Sequence, residues 1–413
     1  MADTADVIIV GAGIIGLSIA HQLLRRAKLR ILVLEKGAAL GEGSTGASSA
    51  VCRFRYTYDE MVCLARDGVA AYRNWGEFLG EVETTAVYHR LGSLWFSPLG
   101  GDWARREAAR LHRLGVAAEV LGDADLSERY PALNTCLQAP DLERGSEHPC
   151  EPGGGRHLFE PDAGYVNPMD AANDLLRAVK AKGASVRFNA KVERVLVRSE
   201  RASGIQLVTG EIIHAPVVIN AAGPWCNRLS APLYAAGAWD LAPTRIQVVH
   251  VDCPPPMRGR LPICADLTSG IYFREQRGSG QIVVGSLLES DEREVVSDPD
   301  DFARHHDDEF ARLKLHALQH RLPGLKISSV RGYSGLYTVN RQDVHPIVGQ
   351  THIDGFYMVN GCSGHGFKLA PILGAIVARA ITGVRDSFDT DVDPAFLAVD
   401  RAPLQLDLKS AMA

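Results

Sequence analysis

The run Asp6-Val-Ile-Ile-Val-Gly-Ala-Gly-Ile-Ile-Gly16 settles what kind of sheet this chain builds. Residues 6–10 are short, apolar and β-branched, as a parallel strand buried on both faces requires. A glycine turn follows, then helical residues 14–26, then a second apolar strand at 31–35. Strand, helix and strand within about thirty residues make a βαβ unit. Gly11 permits the tight turn, Gly13 lets backbone approach a pyrophosphate, and Gly16 lets helix pack on strand. The helix start at Ile14 and Ile15 then turns its N–H groups toward phosphate charge. Glu35 closes the second strand nineteen residues after Gly16, placed to accept hydrogen bonds from a ribose, with Lys36 beside it. The glycine motif alone is weak, but the four features together specify the ADP half of a dinucleotide. A carboxylate at Glu35 repels a 2′-phosphate, which disfavours NADP.

Outward from this unit, residues 41–49 offer the hydroxyls of Ser44, Thr45, Ser48 and Ser49 and the backbone around Ala47. Such a loop suits a second contact with an extended dinucleotide; the plainer alternative is a flexible polar loop. A second glycine turn, with Ala221, Ala222 and Gly223 ahead of Trp225, and a third over 360–368 also stand at strand ends. Strand ends are where α/β sheets bind ligands.

Between these segments the pattern changes. Residues 61–79 read as one amphipathic helix. Residues 84–157 mix short strands with a charged helix at 103–114 and a long exposed loop at 140–155, a possible lid. A helix at 170–182 leads into apolar alternation over 186–197, and 217–223 is another buried strand. Residues 243–334 are strand-rich, with 270–273 and 281–285 as strands and a helix at 300–321. Strand 355–359, the third glycine turn and an apolar helix to 381 end the pattern. Two interleaved domains are expected, one from 1–83, 158–235 and 336–398, the other from 84–157 and 236–335, with a tail at 399–413.

With 413 residues the chain exceeds the usual size of a single core. A formal net charge of −5 without a basic block argues against a nucleic-acid surface. No run is long and apolar enough to span a bilayer, and the acidic start with three glycines does not read as a signal peptide, so a cytoplasmic protein is expected. Eight cysteines form no C-x-x-C and have no histidines at zinc spacing; they read as reduced thiols, and no metal is expected. His305 and His306, adjacent and therefore divergent on a helix, read with Asp307 and Asp308 as a solvated helix start.

The opening fingerprint, Glu35-Lys36, the Ser-Thr-Gly-Ala-Ser loop, Phe159-Glu-Pro-Asp-Ala-Gly-Tyr165, Ala221-Ala-Gly-Pro-Trp225 and Gly364-His-Gly-Phe-Lys368 occur in one order. In this the chain resembles the D-amino-acid oxidase superfamily, in particular its sarcosine oxidase and dimethylglycine oxidase branch, to about residue 390. The resemblance implies bound FAD and an α/β plus α+β fold: a Rossmann-like FAD-binding domain interleaved with an antiparallel-sheet substrate domain. It implies a small amino-acid-like amine as substrate, its carboxylate clamped by Arg55 and Lys368. Arg53 could take the role given to Arg55. A cation pair in a partly dry pocket holds a carboxylate and favours an uncharged amine beside it. Tyr272 would line the substrate pocket and His365 would lie beside the flavin. Val192, Gly335, Gly361, Ser363, Gly366 and Phe367 join the expected FAD contacts.

Two departures from the branch stand out. Its flavin-bonding cysteine is replaced by Gly335 in Gly335-Leu-Tyr-Thr338, and residues 44–51 lack the alternative histidine, so FAD is expected to be non-covalent. The oxygen-activating lysine would fall in 281–285, which has none. The electron acceptor, oxygen or a partner protein, stays open, as do a proline- or opine-type dehydrogenase and a non-catalytic assembly factor. The arginine of a G-L-R-P run is absent, since Tyr337 follows Gly335-Leu, so the sarcosine-type clamp is preferred.

Overall fold

The computed structural model describes residues 4–80, 83–99, 101–150, 154–233, 239–406 and 409. Residues 151–153 of the expected loop, the 235/236 boundary and the end of the 399–413 tail lie outside the described residues.

Val7–Val10 is the middle of a six-stranded sheet ordered Ile347–Gln350, Phe356–Asn360, Val217–Asn220, Val7–Val10, Ile31–Leu34 and Ser185–Arg187. All neighbours are parallel except the first pair. Side chains alternate between two cores, as the period of two in a strand demands. Val7, Ile9, Val33 and Ile219 pack with the helices on one face. Ile8, Val10, Leu32, Leu34 and Val218 pack on the other, under a three-stranded sheet that contributes Ile205 and Ile213. The four buried side chains of Val7–Val10 alone stabilise the fold by roughly 6–12 kcal/mol before entropy is counted.

The helix Ile14–Arg26 ends on Arg25 and Arg26, cations at the negative end of the dipole. It packs along the last helix, Gly366–Thr382. The approach is close at Gly374, where a Cβ would sit 2.8 Å from the Ser18 carbonyl oxygen. Pro371 lies inside that last helix and has no N–H for the Phe367 carbonyl one turn back. The Tyr72 hydroxyl donates to that carbonyl instead, at 2.7 Å.

The second large sheet has eight strands, ordered Val330–Asn340, Leu241–Asp252, Gln281–Ser286, Ile271–Gln276, Ile263–Asp266, Ser93–Phe96, Arg156–Glu160 and Glu119–Gly122. It is antiparallel except that Ile263–Asp266 runs parallel to Ser93–Phe96. Helix Asp308–Arg321 packs against it through Phe310, Leu315 and Leu318. This sheet includes all of Arg156–Glu160 and Val330–Asn340, so boundaries drawn at 158 and 336 fall inside strands.

Three elements depart from the sequence reading. The helix expected from residue 300 begins at Asp308, because the Asp298 carboxylate accepts the Asp300 N–H and turns the chain there. The 61–79 helix is two, Asp59–Arg73 and Trp75–Leu79, with Asn74 between them outside the helical region at φ −115°. The alternation over 186–197 divides into Ser185–Arg187 and Val192–Arg198, which join different sheets.

Candidate active site

A cavity of about 560 Å³ runs from the glycine turn of the parallel sheet to the inner face of the eight-stranded sheet. Both helices with glycine turns open on it, through Gly13, Ile14 and Ile15 at one and Gly364, Gly366, Phe367 and Lys368 at the other. Gly11, at φ +107°, and Gly16 make the first turn possible. A Cβ on Gly11 would lie 2.4 Å from the Ala221 oxygen, and one on Gly16 only 1.9 Å from the Gly11 oxygen. Gly16 is thus structural, behind the cavity wall, while Gly11 and Gly13 line it.

Glu35 also lines the cavity. Its carboxylate accepts from Ala12 N–H at 3.0 Å and Gly37 N–H at 2.8 Å, so it is oriented before any ribose arrives. The Thr45 hydroxyl accepts from the Ile14 N–H at 3.0 Å and ties the 41–49 loop to the helix start. Ser44, Ser48 and Ser49 line the cavity as well, Ser44 anchored on the Leu336 carbonyl at 2.6 Å. Val192, Ala221, Ala222, Gly223 and Trp225 complete this end. Its rim holds a charge cluster that sequence reading missed. Lys36, Arg228 and the Trp225 indole all bond Asp300, with Lys191 3.7 Å away. Lys36 lies 3.7 Å from the Trp225 ring centroid. Burial pushes the Asp300 carboxyl up, but bonds from Lys36, Arg228 and Trp225 outweigh it and hold the group well below the usual range.

The other end is lined by Val51, Arg53, Tyr272, Leu287, Tyr337, Gly361, Cys362, Ser363 and Lys368. Ser363 adopts φ +44° and is held by bonds to the strand beside it: its N–H donates to Thr338 and its hydroxyl accepts from Asn340 N–H. Burial raises the Tyr272 hydroxyl, with partial relief from Ser49, and raises Tyr337 well above its ordinary value, so both stay protonated.

Not every expected residue reaches this wall. Arg55 does not: its side chain turns to Glu107, at 3.2 Å, under Trp103. The strand Val51–Cys52 ends before it, and buried Glu160 accepts the Phe54 and Arg55 N–H groups at 3.3 and 2.6 Å, which rotates the chain. Arg53 lines the cavity in its place, its guanidinium 4.1 Å from the Tyr56 ring centroid. Burial raises the Glu160 carboxyl, opposed chiefly by the Arg53 charge.

His365 is buried behind the wall, edge-on to Tyr56 at 5.2 Å. Burial, then the Lys368 charge, keeps it far below its ordinary pKa and hence neutral. Ala47 and Gly335 pack against each other, and a Cβ on Gly335 would come within 2.6 Å of the Ala47 Cβ.

A parallel sheet with a dinucleotide turn, an antiparallel sheet facing it and one long cavity between them define a two-domain dinucleotide oxidoreductase. The chain belongs to the DAO family, FAD dependent oxidoreductase, whose profile matches residues 6–380. Its relatives include FAD-dependent oxidoreductase domain-containing protein 1 of Bos taurus, 26% identical over 92% of this chain and 81% of that protein. Peroxisomal sarcosine oxidase of Homo sapiens is 25% identical over 94% of each. Among solved structures, L-proline dehydrogenase from P. horikoshii superposes with a TM-score of 0.80 at 22% identity, over 97% of this chain and 98% of that one. Glycine oxidase from Geobacillus kaustophilus gives 0.76 at 21% identity, over 97% and 100%.

The cavity residues fit FAD: glycines where backbone must touch pyrophosphate, an oriented carboxylate for ribose, and a second helix N-terminus at the far end. The protein is an FAD-dependent oxidoreductase related to amino-acid oxidases. Among the described residues no helix is long and apolar enough to cross a membrane.

Proposed function

We propose that this enzyme oxidises the C–N bond of a secondary or N-methylated amino acid, and that Arg53 with Lys368, rather than Arg55, clamps its carboxylate. The observation that carries the reading is the pairing of two buried cations on one ring. Arg53 lies 4.1 Å and Lys368 Nζ 5.8 Å from the Tyr56 centroid, and both line the same end of the cavity. Two cations in a low-dielectric wall attract a carboxylate and oppose protonation of the neighbouring amine. An amine bound neutral needs no side-chain base, which agrees with His365 standing behind the wall. Tyr272 and Tyr337 shape the pocket and help exclude water. Bound FAD supplies the two-electron acceptor; the imine product then hydrolyses. Similar proteins named sarcosine oxidase and 4-methylaminobutanoate oxidase lend support to the N-methyl preference.

Non-covalent attachment is supported by the packing of Gly335 on Ala47, which leaves no room for a side chain. Cys362 and Cys264 do line the cavity, but burial pushes the Cys362 thiol up to about 12 and Cys264 upward too, which disfavours the thiolate that a bond to the flavin would need. Acid precipitation should leave the flavin in the supernatant. The eight unpaired cysteines support a cytoplasmic setting.

One observation favours a dehydrogenase passing electrons to a protein or quinone. Gly285 lies under the Tyr272 ring, where a Cβ would sit 2.3 Å from the ring, so that strand position cannot present a lysine. Anaerobic bleaching by sarcosine, other N-methyl amino acids, proline and opine-like compounds tests the enzyme reading. If none bleaches the flavin, an assembly factor without turnover replaces it. Stopped-flow mixing of reduced enzyme with oxygen then separates oxidase from dehydrogenase.

A further inference from the structure

We propose that Cys136, His148, Cys150 and His320 form a structural zinc site that fastens the 134–150 excursion to the eight-stranded sheet. One ligand atom from each lies within 4.8 Å of all the others. In a tetrahedral site with Zn–S of about 2.3 Å and Zn–N of about 2.0–2.1 Å, ligand atoms stand about 3.3–3.8 Å apart. The set therefore closes by roughly an ångström at its widest, a side-chain adjustment.

The chemistry around each ligand points the same way. His320 is buried, and its Nδ1 lies 2.6 Å from the Glu147 carboxylate, whereas its Nε2 is buried with no partner. A carboxylate on one ring nitrogen fixes the tautomer and leaves the other lone pair for a metal. An N–H group faces each sulfur: the Gln138 backbone donates to Cys136 Sγ at 3.4 Å and the Asn134 amide to Cys150 Sγ at 3.3 Å. Such donors stabilise thiolates. The ring of His148 stands 5.3 Å from that of His320, and its nitrogens each lie 3.1 Å from a carbonyl, Pro149 or Gln138, one of which is exchanged for the metal. Two thiolates and two imidazoles in a closed set select zinc, and binding releases the two thiol protons.

The set is invisible in sequence spacing because its members come from a loop and from the last turn of helix Asp308–Arg321. On this proposal Cys136 and Cys150 are ligands, whereas the sequence alone reads all eight cysteines as reduced thiols with no metal. Among the described residues none of the four lines the flavin cavity, although Cys136 and Cys150 border a second, open cleft; four protein ligands leave no open position, which makes the role structural. The next residue, Arg321, donates to the Cys136 carbonyl at 2.9 Å and pairs with Asp266 at 2.9 Å, both side chains being 0% exposed. Asp266 ends the strand whose Ala265 lines the cavity. The metal thus holds the loop on the back of the sheet whose front faces the cavity.

The test uses the full-length, FAD-loaded protein, reduced, incubated with Zn²⁺ and desalted. About one zinc per chain is expected by elemental analysis, released when the thiols are modified. Cys136→Ser and His320→Gln should each lower retained zinc roughly tenfold or more without changing the flavin-to-protein ratio. Should those variants not fold, Co²⁺ loading of the unaltered protein decides: thiolate charge-transfer and tetrahedral d–d bands support the site. Their absence, zinc retention no higher than that of the double Cys136→Ser, Cys150→Ser variant, or a Cys136–Cys150 disulfide in the reduced preparation overturns it.

Discussion

Replacing Arg53 and Arg55 separately by glutamine tests which arginine receives the substrate carboxylate. Both are largely buried and they are two residues apart; the sequence reading names Arg55, with Arg53 as the alternative. In the structure Arg53 lines the cavity within 4.1 Å of the Tyr56 ring, while Arg55 is committed to Glu107 at 3.2 Å. A hydrogen bond to a charged group is worth about 1.5–3 kcal/mol, and about 1.4 kcal/mol is tenfold in affinity. Losing one such contact should weaken carboxylate binding by roughly 10- to 150-fold. The assay is a titration of oxidised holoenzyme with a short aliphatic carboxylate such as propionate, followed by the flavin absorbance. Using a ligand without an amine isolates the clamp from the chemical step. Arg53→Gln also removes the charge that opposes the raised pKa of buried Glu160, so that variant should be less stable. The titration is therefore made on the folded, flavin-loaded fraction. Arg55→Gln should leave the dissociation constant within about twofold. Its stability cost should fall below the roughly 3–5 kcal/mol of breaking a fully buried pair, because Glu107 keeps Arg110 at 3.2 Å. If Arg55→Gln weakens propionate and Arg53→Gln does not, the assignment is wrong.

Other outcomes follow from the same geometry. Gly16→Ala should yield protein without flavin, since the new Cβ would meet the Gly11 oxygen at 1.9 Å; normal flavin content in the purified variant would contradict this. Tyr72→Phe should cost about 1–3 kcal/mol by stranding the Phe367 carbonyl. In a Pro371→Ala background the restored N–H should serve that carbonyl and most of this cost should vanish, so additive losses in urea melts would refute the pairing. Burial lowers the His21 imidazole to about 4, while the unfolded chain takes up that proton below about 6.5. Its contribution to stability is complete above the unfolded value and is lost as pH falls toward 4, amounting to about 2 kcal/mol between pH 7 and 5. His21→Gln, which keeps a donor for the Phe78 carbonyl, should flatten the acid loss by that amount. His365 adds loss of the same sign to both proteins and cancels in the comparison.

Much of the nucleotide end was legible because it is written locally. A β-branched run, three glycines at fixed offsets and a carboxylate at the next strand end each carry their own physical reason. The same locality explains where reading failed. Whether Arg53 or Arg55 points inward depends on Glu160, more than a hundred residues away, capturing two backbone N–H groups. The start of the helix at Asp308 rather than 300 depends on Asp298 and on the cations that engage Asp300.

The sequence by itself therefore determined the parallel sheet, the glycine turns, the dinucleotide-binding class and the presence of a lysine at the last helix start, FAD itself coming only from the family resemblance. Those features rest on contacts within a few residues, or on backbone conformations only glycine adopts freely. Tertiary structure alone decided which arginine shares Tyr56 with Lys368, which thiols and imidazoles meet, and that no side chain fits at Gly335. Each of these is a meeting of side chains from distant segments, and no local pattern encodes which neighbour a buried group will find.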